Sequence, residues 1–202
     1  MKIAGLQPFS LTDFPGRVAG ILFTAGCNWA CSYCHNKGLW KDECALIPEK
    51  EIFSFLESRK EKLDGIVVTG GEPTIQEDLI EFIEKIRSYG YLVKLDTNGT
   101  APDKIIELLD KRYLDYIAMD IKAPFEKYPL IVGKSKISVE TLKESIGVIA
   151  SSGVKHEFRT TFTPHLLEQE DIDIIKTYIP KGSFYRIQEY VKGKDRAALL
   201  KA

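Results

Sequence analysis

At 202 residues and 22.8 kDa, the chain holds one domain with a substantial core and leaves little room for two. Its 28 Lys and Arg against 29 Asp and Glu give a net charge of −1, without the basic excess that a nucleic-acid or anionic-membrane surface requires. No apolar run approaches the ~18 residues that span a bilayer, and the 15 Gly and 9 Pro are scattered, which excludes collagen-like and low-complexity chains.

In chain order, residues 18–24 form the first predicted strand. The run 18–27 imitates an apolar segment ending at a lipoprotein cysteine. Asp13, Pro15 and Arg17 lie just before it and Thr24 replaces the usual large apolar residue, so a cytoplasmic protein is expected. A helix begun by Pro48 covers 48–60, and the charge run 57–62 is solvated surface. Residues 65–69 are a buried-strand run that stops at Gly70-Gly71. Over 77–88, Leu79, Ile80, Ile83 and Ile86 make a helical stripe that Gly90 ends.

A strand over 91–95 runs into the turn 96–99. Pro102 then opens a helix with Ile105, Ile106, Leu108 and Leu109 on its apolar face. Residues 116–119 are a strand, 138–150 a helix with Ser138 as N-cap, 157–161 a strand, 168–179 a helix and 184–188 a closing strand. Six strands with five intervening helices imply an α/β fold with a parallel sheet and right-handed crossovers. A full eight-fold barrel takes ~250 residues, so an open, partial (β/α)6 barrel forming one domain over 1–202 is expected. A flat doubly wound sheet is the rival. In either fold, ligands gather where the strands' carboxyl ends meet the following loops.

Three of the four cysteines are crowded in Cys27-Asn-Trp-Ala-Cys31-Ser-Tyr-Cys34, and the fourth is Cys44. Three thiols within eight residues staple no distant segments, so a metal or cluster is the better reading than a disulfide framework. A short loop just past a strand can point three sulfurs at three corners of a cubane and leave one iron open. The alternative is structural zinc with Cys44 or His35 as fourth ligand. In Thr69-Gly-Gly-Glu-Pro73, two glycines would let backbone approach a ligand closely, and Glu72 offers a carboxylate to a cationic amino group. A plain β-to-α turn is the other reading of that stretch. Asp96 and Asp120 either bind or cap helices, and His156 and His165 receive no role.

Cys27-x3-Cys31-x-Tyr33-Cys34 together with Gly70-Gly71-Glu72 after the second predicted strand resembles the radical S-adenosylmethionine (SAM) enzymes. That resemblance implies one [4Fe-4S] cluster on Cys27, Cys31 and Cys34, with SAM on the open iron. Within the superfamily the chain is similar to the activating enzymes that install a glycyl radical on a partner enzyme. In that likeness, Asp13 in Asp13-Phe-Pro-Gly16 faces the partner's glycine loop, and Tyr33, His35 and Asn36 lie on the adenine side. Asp96, Thr97, Asn98, Asp120 and Lys122 surround the ribose and methionine portion. Arg159, with Thr161, reaches the methionine side, and Asp96 and Asp120 also hold a monovalent cation.

Over roughly residues 3 to 190 the chain is most similar to activating proteins of anaerobic ribonucleoside-triphosphate reductase. The implied partners are that enzyme's large subunit and a flavodoxin or ferredoxin electron donor, with no nucleic acid and no membrane. One departure stands out: the pyruvate formate-lyase activating enzymes carry a SAM-contacting histidine after the last strand, where this chain reads Gln188-Glu-Tyr190. Gln188 or Tyr190 is then the replacement. Four cysteines leave none for the second cluster of activating enzymes with an inserted ferredoxin-like domain. Other readings are an activating enzyme for pyruvate formate-lyase or another glycyl radical enzyme, a deazaguanine-type radical SAM enzyme acting on a small molecule, and a non-enzymatic zinc or iron–sulfur module.

Overall fold

The computed structural model describes residues 1–40 and 44–191. Its strands are β1 (Ile3–Ser10), β2 (Ala19–Thr24), β3 (Gly65–Gly70), β4 (Leu92–Thr97), β5 (Tyr116–Asp120), β6 (Lys155–Phe162) and β7 (Phe184–Glu189). Between them run α1 (Glu49–Ser58), α2 (Leu79–Ser88), α3 (Pro102–Asp110), α4 (Tyr128–Val132), α5 (Val139–Ser151) and α6 (Gln169–Tyr178). The strands lie side by side in sequence order, β2 to β7 all parallel. A doubly wound sheet must reverse its strand order at a switch point. This one never does, so the architecture is the open, partial (β/α)6 barrel.

Two features extend the expected plan. β1 pairs antiparallel with β2 and makes a seventh, edge strand. Gly5 and Pro8 interrupt its alternation, and an edge strand tolerates such residues because one side of its backbone needs no ladder partner. The short helix α4 fills the loop after β5, with Tyr128, Ile131 and Val132 buried.

Strand side chains alternate between two faces. Leu22, Ile66, Val68, Val93, Leu95, Ile117, Met119 and Phe158 pack outward with helix residues such as Ile83, Leu108 and Ile149. Ala19, Ile21, Phe23, Val67, Tyr116 and Ala118 point inward and are closed over by Phe14 and Leu39. Farther along the same inward register, the side chains turn polar: Lys94 and Asp96 on β4, Asp120 on β5, Glu157, Arg159 and Thr161 on β6. That change of character positions the site. Among the described residues, no helix is long and apolar enough to cross a membrane.

Candidate active site

The loop after β2 leaves the sheet at Gly26, whose φ of +83° lies in the left-handed region that glycine favours. Cys27, Cys31 and Cys34 from this loop line a cavity of about 240 Å³ at the carboxyl end of the barrel. The Trp29 N–H donates to Cys27 Sγ at 3.4 Å and the Asn36 N–H to Cys34 Sγ at 3.3 Å, so two sulfurs already have donors suited to negative charge. α4 supports the loop from behind, its Val132 and Ile131 carbonyls accepting the Ala30 and Ser32 N–H groups at 2.9 and 3.3 Å. Trp29 meets Tyr128 edge-on, with ring centroids 5.7 Å apart.

Burial pushes the Cys27 thiol up to about 12, helped by the nearby Glu72 carboxylate, and burial also raises Cys31. A positive metal centre would reverse that by binding thiolate. Among the described residues, no three His, Cys, Asp or Glu side chains gather tightly enough for a single metal ion. Cys44 lies outside this cavity, against the apolar inner face. Three wall sulfurs suit a multi-iron cluster, whose cysteines each hold a different iron, better than one tetrahedral zinc. The Tyr33 hydroxyl and Asn36 Oδ1 are buried without a hydrogen-bond partner among the described residues, though both side chains line the cavity. Buried polar atoms of this kind call for a polar ligand. The residues therefore fit a cluster with an adjacent polar cofactor.

Gly70 ends β3 and Gly71 follows it; both line the cavity, and both are also required by the chain's own packing. A Cβ on Gly71 would stand 1.9 Å from the Gly26 carbonyl oxygen, and one on Gly70 2.3 Å from the Thr24 amide nitrogen. This close approach is to the backbone of the end of β2 and the start of the cysteine loop, sealed by Gly71 N–H to Thr24 O and Glu72 N–H to Gly26 O, both 2.9 Å. Glu72 is 1% exposed. Its Oε1 accepts from Thr74 N–H (3.1 Å), Thr74 Oγ1 (2.6 Å) and Thr97 Oγ1 (2.7 Å), and its Oε2 from Asn98 N–H (2.7 Å). Burial raises this carboxyl against those four bonds. Glu72 thus ties the ends of β3 and β4 together while lining the cavity.

Asp96 and Asp120 cap no helix. They sit at the carboxyl ends of adjacent strands, bridged by Arg159: Nε to Asp120 Oδ1 at 2.8 Å and Nη1 to Asp96 Oδ2 at 3.2 Å. Lys94 Nζ donates to Asp96 Oδ1, and Lys122 Nζ to Asp120 Oδ2 at 2.8 Å. Burial alone would raise both carboxyls, but Arg159 with Lys94 or Lys122 outweighs it and holds them below the ordinary carboxylate value. Lys122 is pushed up in turn, with Asp120 overcoming burial.

Asp13 follows the unexpected β1 and lines the same cavity as the cysteines. Its Oδ2 accepts from Ser10 Oγ at 2.5 Å and Thr12 Oγ1 at 3.3 Å, bracing its own turn. Gln188 lines the cavity, whereas Tyr190 stacks on His35 (centroids 5.1 Å apart) and His35 Nε2 contacts Val191 O at 3.0 Å. Of the two candidate replacements for the absent histidine, Gln188 is the one on the wall. The other expected site residues, Thr97, Asn98 and Thr161 among them, line the cavity as well. Trp29, Trp40 and Lys94 were not anticipated in this region. Inward register two residues before Asp96 is the signal that marks Lys94.

Comparison with known proteins accords with this geometry. The sequence profile of the Radical SAM superfamily matches residues 21–178. A protein of Methanocaldococcus jannaschii named as a glycyl-radical enzyme activating enzyme is 35% identical over 93% of this chain and 79% of its own length. Pyruvate formate-lyase-activating enzyme of Clostridium pasteurianum is 28% identical, with 84% of this chain and 72% of that one covered. A Pyrococcus abyssi protein named as a GTP 3′,8-cyclase is 37% identical over 56% of this chain and 37% of its own. Among solved structures, Streptococcus suis SuiB bound to precursor peptide SuiA superposes with TM-score 0.68 at 16% identity over 88% of this chain, which spans 40% of SuiB. For anSMEcpe with bound AdoMet the TM-score is 0.65 at 16% identity, over 83% of this chain and 49% of that one. With three cysteines after β2, a Gly-Gly-Glu turn after β3 and a profile match over most of its length, the chain belongs to the radical SAM superfamily.

Proposed function

We propose that this radical SAM enzyme activates a glycyl radical enzyme, with the large subunit of anaerobic ribonucleoside-triphosphate reductase as its partner and a flavodoxin or ferredoxin as electron donor. The observation that carries the reading is the placement of Asp13, in the turn after a strand added outside the six-stranded core, on the wall of the cysteine-lined cavity. A backbone-binding carboxylate there suits an extended protein loop as substrate. The relatives support it: the match to the M. jannaschii protein named as an activating enzyme covers 93% of this chain and 79% of its own length, whereas a Thermococcus kodakarensis protein named as a GTP 3′,8-cyclase is matched over 88% of this chain but 58% of its own length.

When bound, the cluster and SAM supply a one-electron reductive cleavage that gives methionine and a 5′-deoxyadenosyl radical able to take a glycine Cα hydrogen from the partner. Cys27, Cys31 and Cys34 would hold the cluster, and the Trp29 and Asn36 amides favour the thiolates electrostatically. Glu72 Oε2, with one donor in place, keeps a lone pair for a cationic amine. Lys122 and Arg159 are fixed by Asp96 and Asp120, so their charge is oriented before any ligand arrives. The reaction asks for no proton relay.

Anaerobic incubation of the reconstituted protein with SAM, reduced flavodoxin and the reductase subunit should yield a glycine-centred doublet in the electron paramagnetic resonance spectrum. Replacing any of Cys27, Cys31 or Cys34 with Ala should abolish it, and Cys44→Ala should not. Steady SAM cleavage with no doublet on any glycyl radical enzyme, and with turnover of a small molecule instead, would overturn the reading.

A further inference from the structure

We propose that Lys94 is a built-in cation behind this pocket, held on Asp96 so that, together with Arg159 and Lys122, it leaves no place for an alkali-metal ion at the two strand-end carboxylates. The proposal rests on reading the cavity as a SAM site. Lys94 is 1% exposed and stands two residues before Asp96, so both side chains face inward from β4. Its ammonium donates to Asp96 Oδ1 and lies 5.7 Å from the centre of the Tyr116 ring. Asp96 Oδ2 is taken by Arg159 Nη1, Asp120 Oδ1 by Arg159 Nε, and Asp120 Oδ2 by Lys122 Nζ. Each of the four carboxylate oxygens therefore already has a cation from the protein.

Charge decides the matter. Three cations face two carboxylates, and the adjacent Glu157 is paired to Arg186 at 3.0 Å, leaving the cluster one charge positive. An added sodium or potassium ion needs several oxygen ligands. It would have to displace an ammonium that has nowhere else to go and raise the positive charge of a buried site. The residues do not fit the monovalent cation that the family resemblance implies. An anionic group of a ligand, such as an amino-acid carboxylate, would instead meet a positive charge that does not depend on the salt present.

The test is SAM binding to the reconstituted holoenzyme by anaerobic equilibrium dialysis, with tetramethylammonium as the sole cation and KCl or NaCl titrated in at matched ionic strength. Wild-type affinity should stay constant within about twofold. Lys94→Met, which leaves Asp96 Oδ1 without its ammonium, should bind roughly tenfold or more weakly without alkali cations, and should recover saturably with potassium or sodium. Sodium NMR line broadening gives an independent readout: none that potassium competes away in the wild type, and such broadening in Lys94→Met. Lys94→Gln serves if Lys94→Met loses its fold.

Saturable potassium dependence of the wild type overturns the proposal. So does a Lys94 variant of unchanged affinity, or a weak one that no alkali ion restores. Failure of the wild type to bind SAM in any buffer overturns the SAM-site reading and this proposal with it.

Discussion

Four hydrogen bonds converge on the Glu72 carboxylate, two from its own loop and two from the end of β4. A motif that reads as a ligand contact is therefore also a cross-brace. Removing the carboxylate strands the buried Asn98 N–H and the Thr97 hydroxyl, each costing roughly 1–3 kcal/mol when left without a partner. Glu72→Ala should accordingly lower stability by about 2 kcal/mol or more, seen as a fall in the urea midpoint of the apoprotein, besides weakening SAM binding. A variant that lost SAM affinity at full stability would assign Glu72 to the cofactor alone. At this scale the sequence was informative about which residues meet and silent about how. The residues singled out by their spacing and by the family resemblance line one cavity. Nothing in Lys94 or Arg159 taken alone shows that they neutralise Asp96 and Asp120, because that pairing depends on neighbouring strands placing the same face inward.

Strands and helices were legible where one face is apolar and the other is not. α2 and α3 follow their stripes, and Ser138 caps α5 as its position suggested, accepting the Thr141 N–H at 3.2 Å. β1 was not legible because Gly5 and Pro8 break its pattern and only its pairing with β2 makes it a strand. The support that α4 gives the cysteine loop was equally hidden, since it joins segments about a hundred residues apart through backbone atoms that carry no sequence signal. The contact between the β3 turn and the cysteine loop yields a sharp prediction. A Cβ 1.9 Å from a backbone carbonyl cannot be relieved by a side-chain rotation. Gly71→Ala should push the two loops apart, and iron bound per chain after reconstitution should fall at least severalfold. Full iron content in that variant would show the loops to be independent.

The molecule as a whole is an open sheet with two edges, β1 and β7, and each edge contributes to the cavity wall, Asp13 from the turn after β1 and Gln188 from β7. Asp13 is the place to test whether that openness admits a protein. Asp13→Asn keeps an oxygen to accept from Ser10 Oγ, so the turn should survive while the charge is lost. Glycyl-radical formation on the partner should slow roughly tenfold or more, the scale of one charge-assisted contact. SAM cleavage driven by dithionite without the partner should change by less than about twofold. Equal losses in both assays would make Asp13 structural, and no loss in either would remove the turn from the substrate site.

The contact of His35 with Tyr190 and Val191 bears on how the protein is made. Each strand pairs only with its neighbours in sequence, so the sheet can grow one unit at a time as the chain leaves the ribosome. The His35–Val191 contact spans 156 residues and must wait for the last strand. Until then the loop that carries the three thiols lacks its aromatic cover, and Gln188 is missing from the cavity wall. Cluster insertion into a finished pocket accordingly has to follow the synthesis of β7. A nascent chain held short of β7 offers its cysteines to metals and oxidants with part of the wall still missing.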